Sequence, residues 1–240
     1  MISLEPLGGI PEVRTGDDLA ALLAAAGELR PTDVLAIAHK VVSKAEGRVV
    51  RLADVRPGPR ATELAAEHGK DPRLVEVILS EATELVRADA GRLICRTRHG
   101  FVCANAGVDG SNAGGPDTLV LLPLDPDASA RALRTRLGCA IVITDSFGRA
   151  WRKGQCEVAI GCAGLAPARD YRGEPDTDGR ELHATVIAIA DEAAAAADLA
   201  RSKTSREPAV RIRGLEAYVT RDDGPGAAAL VRAWADDLFR

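Results

Sequence analysis

Two short acidic segments, each placed directly after strand-forming residues, carry the side chains best suited to chemistry. Residues 105–115 combine glycines and asparagines with Asp109, and residues 144–149 put Asp145 next to the hydroxyl group of Ser146. Carboxylate and hydroxyl oxygens are the ligands that Mg2+ and Mn2+ prefer. The residue types therefore indicate a divalent metal site beside a phosphate-bearing ligand, provided that the fold brings the two segments together.

Each segment also has a purely structural interpretation. The composition of residues 105–115 is that of an ordinary hairpin turn, because Asn, Asp and Gly are the residues that turns favour. Asp145 and Ser146 could instead cap a helix, which would stabilise it by about 1 kcal/mol. Either alternative leaves these side chains without a ligand.

Basic side chains occur close to both strand ends. His39, Lys40 and Lys44 follow a predicted strand, and an ammonium group there could pair with phosphate oxygens; the sequence has no G-x-x-x-x-G-K phosphate loop. Arg149 and Arg152 lie just after the second acidic segment. Guanidinium groups bind carboxylates and phosphates through paired hydrogen bonds, so these arginines indicate an anionic substrate.

The composition restricts the class of protein. With 240 residues, 46% of them hydrophobic, the chain can bury a substantial core. A net charge of -4 and only 3% aromatic residues argue against a nucleic-acid partner.

Two arginine clusters, at 48–60 and 87–98, are either solvated faces or a site for a small anion. The five cysteines form no C-x-x-C pair, which predicts buried, reduced thiols.

The predicted elements place the acidic and basic motifs at strand ends. Helices are predicted from residue 19 up to Gly27, at 60–67, 72–80, 126–137, 180–200 and 226–238. Strands are predicted at 33–38, 84–88, 92–96, 101–104, 119–122, 139–144 (stopping at Asp145) and 209–213. This order lacks the regular rhythm of a doubly wound sheet, so we expect an α+β fold with mixed sheets and flanking helices.

The N-terminus gives no sign of export. Residues 1–6 contain neither a basic region nor an apolar signal core, and no stretch reaches membrane-spanning length without charges. We therefore expect a cytoplasmic protein without a membrane partner.

Four strings, at 39–48, 104–112, 144–155 and 179–182, resemble the coenzyme F420-0:gamma-glutamyl ligase family and occur in the family's order. Several extended strings in one order are more specific than any single glycine motif. The resemblance implies one ligase domain over residues 1–240, built either as a single unit or from two intertwined lobes. It also implies an intertwined homodimer with nucleotide bound near the interface.

The resemblance implies a GTP-dependent ligase that adds L-glutamate to F420-0, with a γ-linked second addition, and releases GDP and phosphate. Joining an unactivated carboxylate to an amine calls for a better leaving group, which an acyl phosphate would supply. Mg2+ or Mn2+ and K+ are the implied ions. Two alternatives remain: a ligase of the same fold that acts on another carboxylic acid, and a nucleotide-binding regulator without catalysis.

Site residues follow from the resemblance by position. Metal is expected at Asp109, Asp145 and Ser146. Nucleotide is expected at Ile10, Pro11, Glu12, Val13, His39, Lys40, Lys44, Asn112 and Lys203. Catalytic duties fall to Asp109, Asp145 and Lys44, while Arg149 or Arg152 would hold a substrate carboxylate. The chain departs from the family pattern at 200–208, where a glycine-bearing turn is usual, and at His39, where a small hydroxyl residue is usual.

Overall fold

A computed structural model describes residues 1–238 as mixed sheets with flanking helices, which confirms the predicted α+β class. The strands are β1 (Ser3–Pro6), β2 (Val34–Ala38), β3 (Val49–Arg51), β4 (Ala82–Asp89), β5 (Arg92–Thr97), β6 (Val102–Ala104), β7 (Thr118–Val120), β8 (Ala140–Arg149), β9 (Arg152–Ala163), β10 (Arg169–Asp170), β11 (Val186–Ile187) and β12 (Ala209–Arg213). The helices are α1 (Leu19–Ala26), α2 (His39–Ala45), α3 (Pro59–His68), α4 (Pro72–Glu81), α5 (Pro126–Leu137) and α6 (Ile189–Ala200).

The central sheet has the strand order β1-β12-β2-β8-β9. Its middle pair, β2 and β8, is parallel, and the remaining pairs are antiparallel. Side chains alternate between the faces, so Leu35 and Ile37 join the core beneath α1, α2 and α5, while Val34 and Ala36 join the core beneath α6. Because both faces of the parallel pair are covered, the paired stretches 34–38 and 140–143 consist entirely of apolar residues.

A second group of elements packs around its own core. Helices α3 and α4 bury Leu64 and Ile78 against Leu93 and Cys95 of β5. The three-stranded sheet β4-β5-β6 and the pair β3-β7 complete this group. Val108, at the start of the loop that carries Asp109, is also buried here. This core therefore fixes the position of the acidic loop.

Two helices begin directly after an aspartate cap. Asp18 caps α1 by accepting a 3.1 Å hydrogen bond from the Ala21 amide, and Gly27 follows the helix. Asp125 caps α5 in the same way through Ala128, at 2.9 Å. The predictions for α3, α4, α5 and the hairpin β4-β5 are confirmed to within two residues at each end.

Three predicted boundaries are wrong. The strand 139–144 does not stop at Asp145: β8 continues to Arg149 and forms a long hairpin with β9. The helix predicted at 180–200 begins only at Ile189, because the β-branched residues around 185–187 form β11 instead. The strand predicted at 119–122 is confirmed to within two residues at each end as β7.

The third error concerns the predicted closing helix at 226–238. The described chain forms two short 3₁₀ turns there, Ala227–Leu230 and Trp234–Asp236. Gly226 has a φ of +82°, and the adjoining amides of Ala227 and Ala228 bond to the buried carboxylate of Asp127. These contacts hold the segment against α5 and take the place of a regular helix start.

The predicted thiol state is confirmed. All five cysteines are unpaired and four are buried, and burial raises the pKa of Cys139 and Cys162 to about 12. Within residues 1–238, no helix is both long enough and apolar enough to cross a membrane.

Candidate active site

The parallel pairing of β2 with β8 brings together the residues that follow the paired stretch of each strand. Ala38 lies opposite Thr144, so His39 and Asp145 are neighbours at the same edge of the sheet. His39 Nε2 is 3.3 Å from Asp145 Oδ1, and His39 Nδ1 is 3.2 Å from the Ser43 hydroxyl. His39 is only 2% exposed, and the orientation of its ring leaves Nε2 without a hydrogen bond to any described residue. The buried His39 imidazole therefore packs directly against the Asp145 carboxylate.

The next residue along the chain contacts the second acidic segment. Lys40 Nζ donates to Asp109 Oδ2 at 2.7 Å and to the Ser111 carbonyl at 2.9 Å. The Ser111 amide donates to Asp109 Oδ1 at 2.7 Å, which closes a tight turn. Burial alone would raise the pKa of the Asp109 carboxyl, but the hydrogen bonds from Lys40 and Ser111 outweigh it and lower that pKa. Asp109 is therefore ionised at neutral pH.

Asp109 and Asp145 thus both contact side chains from the first turn of α2. The strand β6, which leads into the acidic loop, also passes close to Asp145. Burial, with the nearby charge of Asp145 adding to it, raises the pKa of the Cys103 thiol on β6 to about 12. The two segments that the sequence singled out converge, and neither alternative interpretation holds. Residues 105–115 join strands of different sheets, and Asp145 and Ser146 lie within β8 and cap no helix.

A second cluster surrounds Ser146. Pairing of β8 with β9 places Ser146 opposite Glu157, and the Ser146 hydroxyl donates to the Glu157 carboxylate. Lys203 Nζ contacts both the Ser146 hydroxyl and Glu157 Oε1, the latter at 3.1 Å. Arg201 adds hydrogen bonds to Glu157 Oε2 at 3.2 Å and to the Thr144 hydroxyl at 2.8 Å. The Ser146 hydroxyl group thus contacts both a carboxylate and an ammonium group.

Glu157 is the residue that the sequence reasoning missed. It is 4% exposed and lies on a strand whose other inward positions are apolar. A lone acidic residue just before the apolar run 158–163 was the available signal, because a buried charge calls for partners. Nothing local in the sequence identified Lys203 and Arg201 as those partners.

The predicted nucleotide segment at 10–13 packs beside α2. Lys44 is 8% exposed and donates to Glu12 Oε1 at 2.5 Å, and the Gly16 amide donates to the Ala45 carbonyl at 2.9 Å. Ile10 and Val13 are buried in the same core as α2. Lys40, Lys44 and the segment 10–13 therefore lie on one helix and its immediate neighbour.

The predicted substrate arginines lie apart from this centre. Arg149 and Arg152 pair across the tip of the β8-β9 hairpin, and both are exposed. Arg149 donates to the Lys153 carbonyl at 2.8 Å, within the hairpin itself. Asn112 is exposed in the acidic loop with a φ of +53°. Within residues 1–238, neither Arg149 nor Arg152 forms a hydrogen bond or an ion pair with Asp109 or Asp145.

The donor set suits a hard divalent cation. Asp109 is 45% exposed, and no described residue hydrogen-bonds to Oδ2 of Asp145. No group of three or more His, Cys, Asp or Glu side chains within residues 1–238 could hold a metal alone. Two carboxylates from the chain, completed by phosphate oxygens and water, match the way in which Mg2+ is usually bound beside nucleotides.

The chain is similar to a known protein family over most of its length. A model of the family described as F420-0:Gamma-glutamyl ligase matches residues 9–214. A coenzyme F420:L-glutamate ligase of Methanopyrus kandleri is 47% identical over 100% of this chain and 98% of its own. Proteins of the same name from Methanothermobacter thermautotrophicus and Halobacterium salinarum are both 45% identical. They align with 100% and 97% of this chain and with 99% and 93% of their own lengths.

Proposed function

The chain belongs to the F420-0:gamma-glutamyl ligase family and is a ligase, and from that premise we propose that it joins L-glutamate to coenzyme F420-0 with GTP as cosubstrate. The relatives that bear this name align with nearly the whole chain, so the shared region includes every residue of the candidate site. The proposed products are the glutamylated coenzyme, GDP and inorganic phosphate. A second, γ-linked addition belongs to the same proposal.

One observation carries the proposal: Lys40 and His39, consecutive on α2, contact Asp109 and Asp145 from two distant parts of the chain. Asp109 and Asp145 would hold one Mg2+ or Mn2+ ion. Such an ion, when bound, offsets negative charge on the transferring phosphoryl group. Lys40, which now pairs with Asp109, would then turn its ammonium group towards a phosphate oxygen.

The chemistry proposed is activation of a carboxylate. An oxygen of the acceptor carboxylate attacks the γ-phosphorus of GTP, the bond to the β-phosphate oxygen breaks, and GDP leaves. The amine of glutamate then attacks the carbonyl carbon of the acyl phosphate, and the C–O bond to phosphate breaks as the amide forms. The amine proton passes to solvent or to a nearby base.

The protein's own groups would position the reactants and neutralise charge. Lys44, with the segment 10–13, Asn112 and Lys203, would contact the nucleotide. Arg149 or Arg152 on the hairpin would hold a substrate carboxylate. K+ enters the proposal through the family resemblance alone.

A homodimer is also part of the proposal. Asp109 is 45% exposed, whereas Asp145 is 16% exposed. The Asp109 side of the site is therefore open to solvent in the described chain. A second protomer would supply the wall that excludes water from the reaction.

The test is product analysis by mass spectrometry after incubation with F420-0, GTP, glutamate and Mn2+. We expect mass increases of one glutamyl unit and a matching release of GDP. Asp109→Asn and Asp145→Asn should each lower turnover at least roughly 100-fold with an unchanged circular dichroism spectrum. Asp117→Asn, in the same loop but without a site contact, is the matched control.

The same assay separates the alternatives. Glutamate-dependent GDP release with a different carboxylic acid, but not with F420-0, would favour a ligase of the same fold with another substrate. Tight GTP binding without turnover of any acid tested would favour the non-catalytic regulator. Near-normal turnover in either aspartate variant would overturn the assigned site.

A further inference from the structure

The cluster around Ser146 bears on how many metal ions the site can hold. The family resemblance implies that Ser146 binds metal, yet its hydroxyl group is already between Glu157 and the ammonium group of Lys203. An ammonium group contacting a hydroxyl and a carboxylate oxygen occupies the position that a small cation would take. The chain itself therefore supplies a positive charge at this position.

Glu157 is not free to serve a metal ion. Its carboxylate is 4% exposed, and its oxygens contact Arg201 at 3.2 Å and Lys203 at 3.1 Å. Burial alone would raise the pKa of Glu157, but hydrogen bonds from the Ser146 and Thr144 hydroxyl groups outweigh it and lower that pKa. The carboxylate is thus ionised and already matched by two cations.

The charge balance around Glu157 gives the cation position to Lys203. Arg201 is 7% exposed and donates to the Pro208 carbonyl at 2.9 Å, so the first cation belongs to the buried structure. The second cation, Lys203, contacts the Ser146 hydroxyl and Glu157 Oε1, the oxygens that a divalent ion would need here. An ion could bind only by displacing Lys203, because like charges at contact distance in a partly desolvated site repel strongly. Removal of the Lys203 charge would therefore open this position.

The segment that carries both cations is the one that departs from the family pattern. The turn at 201–206 bends back over the β8-β9 hairpin, with Arg206 at a φ of +60°. The Lys203 side chain is 65% exposed, so its ammonium group reaches Ser146 from the solvent side. That side is where a nucleotide phosphate would approach the edge of the sheet.

We propose that the ammonium group of Lys203 takes the cation position beside Ser146, so that Ser146 binds no metal and this chain holds a single divalent ion, at Asp109 and Asp145. This inference rests on the proposed function, because it takes the same cleft as the nucleotide site. Lys203 then offers one positive charge to the phosphates where a divalent ion beside Ser146 would offer two. Ser146 serves as a hydrogen-bonding anchor for Lys203.

The experiment counts bound Mn2+ by electron paramagnetic resonance on the full chain with saturating GDP. We expect about one tightly bound ion per chain in the wild-type protein and in the control Lys70→Ala, which removes a lysine from a distant turn. Lys203→Ala should allow about one further ion to bind, and Lys203→Glu should bind it more tightly because it adds a third oxygen donor.

Failure of this inference can be distinguished from failure of the proposed function. About two ions in the wild-type protein, or no gain of an ion in either Lys203 variant, would overturn the inference. Loss of the first ion in Asp109→Asn tests the proposed function instead, and it does not depend on Lys203. Because the Lys203 side chain is largely exposed, its variants should keep the wild-type circular dichroism spectrum and thermal midpoint.

Discussion

The Glu157 carboxylate is a buried charge whose partners come from two separate parts of the chain. It accepts a hydrogen bond from the adjacent strand and contacts two cations from the turn after α6. Breaking a buried pair by removing one partner is much more costly than losing a surface pair, because the remaining charge stays desolvated. Glu157 therefore links the stability of the β8-β9 hairpin to the placement of Lys203.

Glu157→Gln should lower the free energy of unfolding at pH 7 by about 3–5 kcal/mol, since it leaves Arg201 buried without a counter-charge. The pKa of Glu157 is lowered on folding from a reference of 4.5, so its contribution is present above that pH and is lost as the pH falls through the folded-state pKa. The difference between variant and wild type should therefore shrink at low pH.

Urea unfolding at several values between roughly pH 3 and pH 7 measures this difference. The control is Glu63→Gln, which removes one side of the exposed pair with Arg60 and should change little. A destabilisation by Glu157→Gln that stays constant across the whole range would contradict the assigned ionic role.

At the scale of elements, the turn that precedes Asp109 is held in an unusual backbone conformation. Asn105, Ala106 and Gly107 have successive φ values of +55°, +53° and +74°. Left-handed residues other than glycine cost on the order of 1–3 kcal/mol each and persist where surrounding structure enforces them. Here the buried Ala106 and Val108 enforce the turn and so aim Asp109 at α2.

Gly107→Ala should destabilise the protein by at least about 2 kcal/mol. A Cβ at this position would lie 2.6 Å from Cγ of Leu122, which is 1% exposed and cannot move aside. Thermal unfolding measures the effect. Gly110→Ala is the matched control in the same loop, because its Cβ would lie at an ordinary 3.6 Å from Leu119. Equal thermal midpoints for both variants would contradict this reading of the turn.

The sequence predicted local elements better than long-range partners. Helix α5 and strand β2 followed from the local sequence, and the strand predicted at 101–104 and the apolar run at 139–144 indicated where Asp109 and Asp145 would be presented. The extension of β8 beyond Asp145 escaped prediction because its pairing with β9 depends on tertiary contacts. The role of Glu157 was not predicted for the same reason, since the cations that pair with it come from a distant turn.

At the scale of the whole molecule, three lysines of an acidic protein lie close to one edge of the central sheet. The net charge is -4, and Lys40, Lys44 and Lys203 pair there with Asp109, Glu12 and Glu157. Local potential, and not net charge, governs the approach of an anionic ligand, so these ammonium groups matter only where a ligand can reach them. The parallel pair β2-β8 contributes to this arrangement, because it places α2 and the second half of β8 at the same edge.

Isotope transfer measures the central claim most directly: that this edge activates a carboxylate by phosphorylation. F420-0 labelled with 18O in its acceptor carboxylate would be incubated with GTP, glutamate and Mn2+, and the released phosphate analysed by mass spectrometry. We expect about one 18O atom in phosphate for each glutamate joined, because the carboxylate oxygen that attacks the γ-phosphorus leaves with it. Phosphate free of label, despite formation of the glutamylated product, would contradict activation through an acyl phosphate.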